Sequence, residues 1–230
     1  MPSPHPLFES AILRNDMRAI RELLDRSPDL ISYRFRQAKL YRSGLVHWLY
    51  VGDSWLHLAA AAHMPAVTRC LIESGADPNA AASSRRGTPV HYASDGCVAE
   101  PGYDRARQVE TLQILLEQGG RVDAQDANGA TPLHRAVRTR CDGAVALLLD
   151  AGADPEARNH AGSTSFHLAV QSTGRGGSGS EAAIAAQKRI LQSFMKRQVS
   201  VELRCGKERT VAEWARRTWV GEYLHQLRTR

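Results

Sequence analysis

The sequence predicts an all-α fold, a solenoid in which helix–turn–helix units stack side by side. One observation is a motif that occurs four times, Ser or Thr followed three residues later by His and then by x-Ala. A second is the interval between the motif histidines, which is 34, then 43, then 33 residues. A third is a run of apolar residues that is followed within a few positions by glycine, after three of the four motifs. Internal repeats of this period are typical of solenoids. The motif histidines are His57, His91, His134 and His167.

The copy at 126–158 is the clearest and accounts for each part of a unit. Thr131 predicts a helix N-cap, because its hydroxyl can accept from the unpaired N–H groups of the first turn. Pro132 suits the first helical position, where no N–H is needed. A second apolar helix is predicted over 144–149, and Gly152 predicts its left-handed end. The unit is therefore a turn, a short helix, a loop, a second helix and an exit loop.

The other units follow the same pattern with more variation. Residues 53–203 hold four repeats, residues 7–30 predict an N-terminal capping unit, and residues 204–230 predict a degenerate C-terminal capping unit. Because neither helix of a unit can bury its apolar face alone, neighbouring units must supply the partner, and the end units are expected to be atypical. We therefore expect residues 1–230 to form a single domain of about six stacked units.

The motif T-P-L-H-x-A at 131–136, with the exit L-L-x-x-G-A-D at 148–154, resembles the signature of the ankyrin repeat family. The resemblance implies a rigid stack whose finger-like turns and first helices form a concave binding surface. It also implies that each motif histidine bonds the turn of its own unit and that of a neighbour. Proteins of this family recognise other proteins, so the same function is expected here.

Three insertions interrupt the repeat. The first spans 32–52, the second lies around 94–103, and the third lies around 172–180, where Gly and Ser predict a flexible loop. Insertions in solenoids map to loops on particular faces, and such faces often bind. We expect the 32–52 insertion to enlarge the finger-like turn beside the helices, and the other two to leave from the opposite edge. The 32–52 insertion therefore carries the most functional weight.

The net charge of +6 is concentrated at the two ends of the chain. Segment 31–52 holds four basic residues and no acidic one, which gives +4. Segment 204–230 holds seven basic and three acidic residues, which gives a further +4. Segments 1–30 and 53–203 each sum to −1. Electrostatic attraction to a partner should therefore be concentrated at the basic ends.

Composition predicts an ordinary soluble protein. Hydrophobic residues make up 43% of the chain, and no stretch approaches the length of a membrane span. The four cysteines are scattered without metal-type spacing, which favours free thiols. Residues 1–6 lack the charged and apolar regions of a secretory signal. We therefore expect a cytoplasmic protein that does not contact membranes, and leave export as an effector open.

The motif histidines are expected to be structural, with no metal and no cofactor. They occur once per unit, about 10 Å apart, whereas a metal site needs ligands that converge on one point. The glycine-rich stretch 174–179 lacks the preceding strand and the Lys-Ser/Thr ending of a phosphate loop. We predict no catalytic residue, although insertions could close a groove over a small molecule. Candidates for such a site are His47, Asp53, Asp95, Cys97, His160 and His225.

Two groups of residues are predicted to bind a partner. Aromatic and cationic side chains interleave in the 32–52 insertion, where they could stack on bases or engage an acidic, aromatic peptide. An alternative is that Leu40, Leu45, Val46, Trp48 and Leu49 form an extra helix or hairpin packed on the stack. The insertion residues are Tyr33, Arg34, Arg36, Tyr41, Arg42, Trp48 and Tyr50. The concave-face residues are Arg85, Arg86, Tyr92, Asp95, Asn128, Arg135, Arg138, His160 and Gln171.

The expected function is protein–protein recognition through the concave face and the 32–52 insertion, with a partner whose surface is acidic. Two alternatives stay open: nucleic-acid binding by the basic ends, and an enzyme that acts on a small molecule in a groove closed by the insertions. The sequence does not choose between an effector, an immunity protein and a scaffold, because a shared stack geometry does not identify the partner.

Overall fold

A computed structural model describes residues 4–42, 46–81, 83–96, 102–171, 180–215 and 218–228. Within these ranges the chain forms twelve α-helices, one 3₁₀ turn and one two-stranded hairpin. The first half contains α1 Pro4–Leu13, α2 Met17–Arg26, the 3₁₀ turn Pro28–Ser32, β1 Lys39–Arg42, β2 Val46–Leu49, α3 Trp55–Ala61, α4 Pro65–Glu73 and α5 Pro89–Ser94. The second half contains α6 Arg105–Glu117, α7 Pro132–Arg138, α8 Asp142–Asp150, α9 Ser165–Ala169, α10 Glu181–Lys196, α11 Val211–Trp214 and α12 Thr218–Arg228.

The helices of the four repeats stack in two layers, which confirms the all-α solenoid. Helices α3, α5, α7 and α9 pack in sequence to form the first layer, and α4, α6, α8 and α10 form the second. One hydrophobic core runs between the layers, from Phe8 in α1 to Leu224 in α12. Among the described residues, no helix has both the length and the apolar character needed to cross a membrane.

The start and end of each unit follow the expected local chemistry. Thr131 caps α7, since its hydroxyl accepts from the amide of His134, and Pro132 occupies the first turn. Thr88 and Thr164 hold the same place before α5 and α9. Helices α4, α6 and α8 end before glycines with left-handed φ angles, including 88° at Gly152, whereas α10 ends before Gln198, whose φ is 57°.

The C-terminal unit lacks the motif histidine and still begins its helix in the same way. Glu213 takes the place of the histidine, and its carboxylate accepts from the amide of Thr210 at 2.6 Å. The hydroxyl of Thr210 accepts in return from the amide of Glu213 at 3.1 Å. This reciprocal capping box starts α11 without a histidine.

The 32–52 insertion contains an antiparallel hairpin, which is one of the two forms expected for it, and Leu49 is buried whereas Trp48 is exposed. Strand β1 pairs with β2 so that Leu40 lies opposite Trp48 and Tyr41 lies opposite His47. Below the strands, the amide of Phe35 donates to the carbonyl of Asp53 at 2.8 Å. The hairpin therefore rises from the junction between the N-terminal unit and α3. Leu45 lies outside the described residues, as do the side chains of Arg42 and Val46.

The four repeats form two similar pairs. The first pair contains α3 to α6, and the second contains α7 to α10. In the first pair, Nε2 of His63 bonds the carbonyl of Asp95, and Gln108 donates to the same carbonyl and to that of Ala93. In the second pair, Arg140 takes the place of His63 and Gln187 that of Gln108. Both donate to the carbonyls of Ala169 and Gln171.

These bonds satisfy the carbonyls at the end of the first helix in the two units that carry the inter-helix insertions. The inserted segments themselves largely lie outside the described residues, which applies to Cys97 and to the glycine-rich stretch 174–179.

Candidate functional site

The four motif histidines form a ladder of hydrogen bonds between consecutive units. Nδ1 of His91 accepts from the amide of Thr88 at 3.1 Å, and its Nε2–H donates to the carbonyl of Ala130 in the next finger at 2.9 Å. His57, His134 and His167 make the same pair of contacts, with the next finger at 3.0–3.2 Å. Because Nδ1 accepts from a backbone amide, each ring is held as the neutral Nε2–H tautomer.

Burial explains the titration behaviour of these rings. Loss of hydration is the largest effect, and it lowers the pKa of each motif histidine. For His91 the pKa falls to about 4, with the nearby Arg135 lowering it further. The rings do not converge, and in the described ranges no group of three or more His, Cys, Asp or Glu side chains could hold a metal ion. The ladder therefore connects the units structurally.

The centre of the concave face is occupied by internal ion pairs. Arg135 donates to Asp95 and to Asp126, each at 2.9 Å, and its side chain is only 16% exposed. Burial acts to lower the pKa of Arg135, but the two carboxylates outweigh it and raise the pKa. Arg138 lies 3.8 Å from the Asp95 carboxylate and is more exposed. The positive charge of Arg135 is therefore largely neutralised within the protein.

Tyr92 is buried, so its side chain is not part of the concave surface. Its hydroxyl donates to Asp53, which also accepts from the amide of Tyr50 at 2.7 Å. Burial and the Asp53 carboxylate both raise the pKa of Tyr92. The three residues join the base of the hairpin to α5, and we assign Tyr92 a structural role.

The finger tips carry the exposed members of the predicted surface. Arg85, Arg86, Asn128 and His160 are all exposed, and Gln171 is half-buried. Hydrogen bonds between backbones fix one finger against the next, from the amide of His160 to the carbonyl of Asn128 at 2.9 Å, for example. The exposed side chains therefore project from an edge whose turns are joined by backbone hydrogen bonds.

The two faces of the hairpin differ sharply. On the inner face, Tyr41 is buried and donates to Glu9 of α1 at 2.9 Å, and Lys39 forms an ion pair with the same carboxylate. On the outer face, Trp48 is 51% exposed opposite the half-buried Leu40. Tyr41 thus anchors the hairpin, whereas Trp48 is available to a partner.

The stem of the insertion forms a shallow groove. Tyr33 stacks on Trp55 with ring centroids 4.9 Å apart, and Arg34 donates to the Tyr33 carbonyl at 3.0 Å. An open groove of about 540 Å³ lies beside them. Arg36 and Val51 line this groove, and both are exposed.

One contact joins the insertion to the next finger. The guanidinium of Arg85 lies 4.6 Å from the centre of the Tyr50 ring, a cation–π arrangement. The contact places the exposed Arg85 over the half-buried Tyr50 ring, so the turn before α5 meets the 32–52 insertion. We call this the N-terminal surface, and its members are Arg36, Trp48, Tyr50, Val51, Arg85 and Arg86.

The described candidates for catalysis are dispersed. Asp53 is buried at the base of the hairpin with one carboxylate oxygen 4.0 Å from Nε2 of His57. Asp95 is paired with Arg135 across the stack, and His160 is exposed on a finger tip. His47 and His225 belong to the hairpin and to α12. None of these residues lines the groove beside the insertion.

Two family models match parts of this chain, and both describe ankyrin repeats. Residues 105–178 match a model described as ankyrin repeats in three copies, and residues 52–83 match a model described as an ankyrin repeat. The human neurogenic locus notch homolog protein 4 is 38% identical to this chain over 99 residues. That match covers 43% of this chain and 4% of the human protein. The chain therefore spans only a small part of that relative's length.

Proposed function

Because this chain belongs to the ankyrin repeat family, we propose that it is a recognition module that binds a partner protein at the N-terminal surface. Ankyrin repeats are in general protein–protein interaction modules. What this proposal adds is the place of binding and the charge of the partner. The two-layer stack is rigid, so little conformational freedom would be lost on binding.

The observation that carries the proposal is the contact between Arg85 and Tyr50. We number the finger-like turns by the first helix that each precedes, so that the second precedes α5, the third α7, the fourth α9 and the C-terminal one α11. The contact brings the second finger against an insertion that contains four basic residues and no acidic one. Exposed Trp48 and the neighbouring Val51 offer apolar anchors within the same segment. Aromatic and arginine side chains are the residue types most often found at the energetic centre of interfaces. A partner with an acidic surface and an apolar contact point fits this combination.

Charge neutralisation explains why the proposal excludes the middle of the concave face. Arg135 is held by two carboxylates, so an approaching acidic group would have to compete with both. Arg85 and Arg86 have no comparable partner among the ion pairs of the described residues. Their charges should therefore dominate the attraction of an acidic partner at this end.

Charge reversal tests the proposed surface. Arg85→Glu combined with Arg86→Glu should weaken capture of the specific partner about tenfold or more, equivalent to about 1.4 kcal/mol, because attraction becomes repulsion. The measurement is affinity capture from the native lysate with mass spectrometry, followed by titration of each captured protein. Arg107→Glu is the matched control, since Arg107 is exposed on α6 in the other layer. If both variants captured equal amounts of the partner, the N-terminal surface would not be its binding site.

A second substitution separates the apolar anchor from the charges. Trp48→Ser should leave the free energy of unfolding within about 0.5 kcal/mol, because the side chain lies on the outer face of the hairpin. Loss of a buried aromatic anchor at an interface costs about 2 kcal/mol or more, so partner affinity should fall roughly thirtyfold. Leu7→Ser provides the control, because Leu7 is equally exposed on α1. A loss that is the same for both variants would argue against a specific anchor at Trp48.

A further inference from the structure

The N-terminal surface continues as a line of cations along the finger tips. The fourth finger carries Arg158 and His160, with Glu156 exposed two residues before Arg158. The C-terminal finger carries Arg204, Lys207 and Arg209, and the exposed acids near them are Glu202, Glu208 and Glu213. Between them, the third finger presents Asn128 and no cation at its tip. Its Asp126 is buried and paired with Arg135, and Asp123, three residues earlier, is exposed and accepts from the amide of Asp154. Basic side chains thus occur on the second, fourth and C-terminal fingers, with one finger without a cation between them. We call this line the fingertip track, and its members are Arg85, Arg86, Arg158, His160, Arg204, Lys207 and Arg209.

Backbone hydrogen bonds fix the spacing along the fingertip track. The amide of Ala127 donates to the carbonyl of Arg85 at 2.8 Å, which joins the second finger to the third. The last two fingers are joined by the amide of Gly206, which donates to Gly162 at 2.9 Å. These glycines touch so closely that a Cβ added to Gly162 would lie 2.6 Å from the Gly206 Cα. The fingers therefore form a continuous ridge that repeats at about 10 Å.

Several arginines of the track are held in place before any partner binds. The guanidinium of Arg158 donates to the Gly162 carbonyl at 3.1 Å, and that of Arg204 donates to the Glu208 carbonyl at 2.6 Å. Arg209 lies over the Trp214 ring at 5.3 Å, as Arg85 lies over Tyr50. A guanidinium has five N–H donors, so one internal bond leaves others for a carboxylate. Held arginines lose less side-chain freedom on binding than mobile ones.

We propose that the fingertip track binds an extended, acidic segment of the partner protein that runs from the second finger to the C-terminal finger. The track covers three steps of about 10 Å, and an extended chain covers about 10 Å in three residues. A segment of about ten residues with acidic side chains three residues apart would therefore match the spacing of the ridge, with cations to meet them on three of the four fingers. A helix would need acids about seven residues apart and about twenty residues in all. The inference rests on the proposed function in taking the partner to be a protein.

The geometry favours a protein segment over nucleic acid. Binding of single strands relies on aromatic faces on which bases stack. At each end of the track the aromatic ring beside the cations already carries a guanidinium over it, Arg85 on Tyr50 and Arg209 on Trp214. The rings thus serve to hold the arginines, which suits carboxylates. Nucleic acid is kept as one outcome of the test.

The test is fluorescence anisotropy with labelled peptides and the full chain at two salt concentrations. One peptide repeats Asp-Ser-Gly four times, a second contains the repeat once, and a third has the twelve residues of the first with its four Asp placed consecutively. We expect the first peptide to bind at least fivefold more tightly than either of the others, because only it can contact successive fingers. A single-stranded DNA twelve-mer is measured in parallel. Equal binding of the three peptides, or tighter binding of the DNA, would overturn the proposal.

Variants locate the binding of the peptide on the track. Arg158→Glu combined with Arg209→Glu should reduce its affinity about tenfold, and Arg107→Glu should leave it unchanged. Thermal unfolding of each variant establishes that the stack is intact. The first variant leaves Arg85 and Arg86 in place, so its effect is separable from the proposed function. Capture from the lysate could depend on Arg85 and Arg86 while the peptide binds equally well after Arg158 and Arg209 are changed. That result would support the N-terminal surface and contradict the extended track.

Discussion

Acidification from pH 7 to pH 5 is expected to destabilise this protein by several kcal/mol, because its buried histidines resist protonation. His63 and His91 are both buried, and loss of hydration lowers the pKa of each to about 4. Between these pH values each contributes a loss of about 2 kcal/mol, taking about 6.5 for the unfolded chain. The pKa values of His57, His134 and His167 are also lowered, which adds a loss of the same sign.

The sign follows from which state binds the proton. Below about pH 6.5 the unfolded histidines are protonated, whereas the folded rings stay neutral until the pH approaches about 4. The unfolded state therefore binds more protons in this window, and stability falls as the pH falls. Structurally, a proton on Nδ1 of His91 would face the amide N–H of Thr88, which now donates to that nitrogen. The pKa of Asp126 is lowered from its ordinary value, so its contribution is lost only below this window.

The measurement is urea unfolding at pH 7, 6 and 5 with constant ionic strength. His91→Gln should be less stable than the natural chain at pH 7 and should show a shallower loss of stability on acidification. His160→Gln is the matched control, because His160 is exposed on a finger tip. A free energy of unfolding that is flat between pH 7 and pH 5 would contradict the account of a neutral ladder.

The stack could be predicted from sequence because its determinants are local. Thr131, Pro132 and His134 are close in sequence, and each acts within one helical turn. The structural role of the motif histidines was predictable for the same reason, and their contacts confirm it. The hairpin in the insertion was one of two alternatives, since short apolar runs do not separate strand from helix.

The electrostatics of the surface could not be predicted, because the compensating partners are distant in sequence. Arg135 and Asp95 are separated by 40 residues, and only the stacking of α5 against α7 brings them together. The contact of Arg85 with Tyr50 likewise depends on how the insertion folds. Arg158 and Arg209 were missed as binding candidates, although counting the charges finger by finger would have found them. The similarity between the two pairs of repeats could not be predicted either. His63 and Arg140 are different residue types at equivalent positions, and only their hydrogen bonds show that they play the same part.

Asp53→Ala is expected to have the largest effect of any single substitution that touches the N-terminal surface. Asp53 is fully buried, and one of its oxygens accepts from the amide of Tyr50 and from the hydroxyl of Tyr92. Removing the carboxylate leaves the buried hydroxyl of Tyr92 and the half-buried amide of Tyr50 unpaired, which should cost about 3 kcal/mol of stability. Asp25→Ala, an exposed acid in α2, is the matched control and should change stability by less than about 0.5 kcal/mol.

Hydrogen exchange can distinguish local release of the hairpin from a general loss of stability. Asp53 holds the segment that carries Tyr50, so its loss should release the hairpin from α5 while the remaining repeats stay folded. Hydrogen exchange at the amides of β2 should then accelerate at least tenfold, whereas exchange in α7 and α8 should change little. Tyr92→Phe removes only one of the two bonds, and its effect combined with Asp53→Ala should be less than additive, because both act on the same contact. If β2 exchanges at the natural rate in Asp53→Ala, the hairpin is held by its inner face on Glu9 instead, and Tyr41→Phe becomes the substitution that releases it.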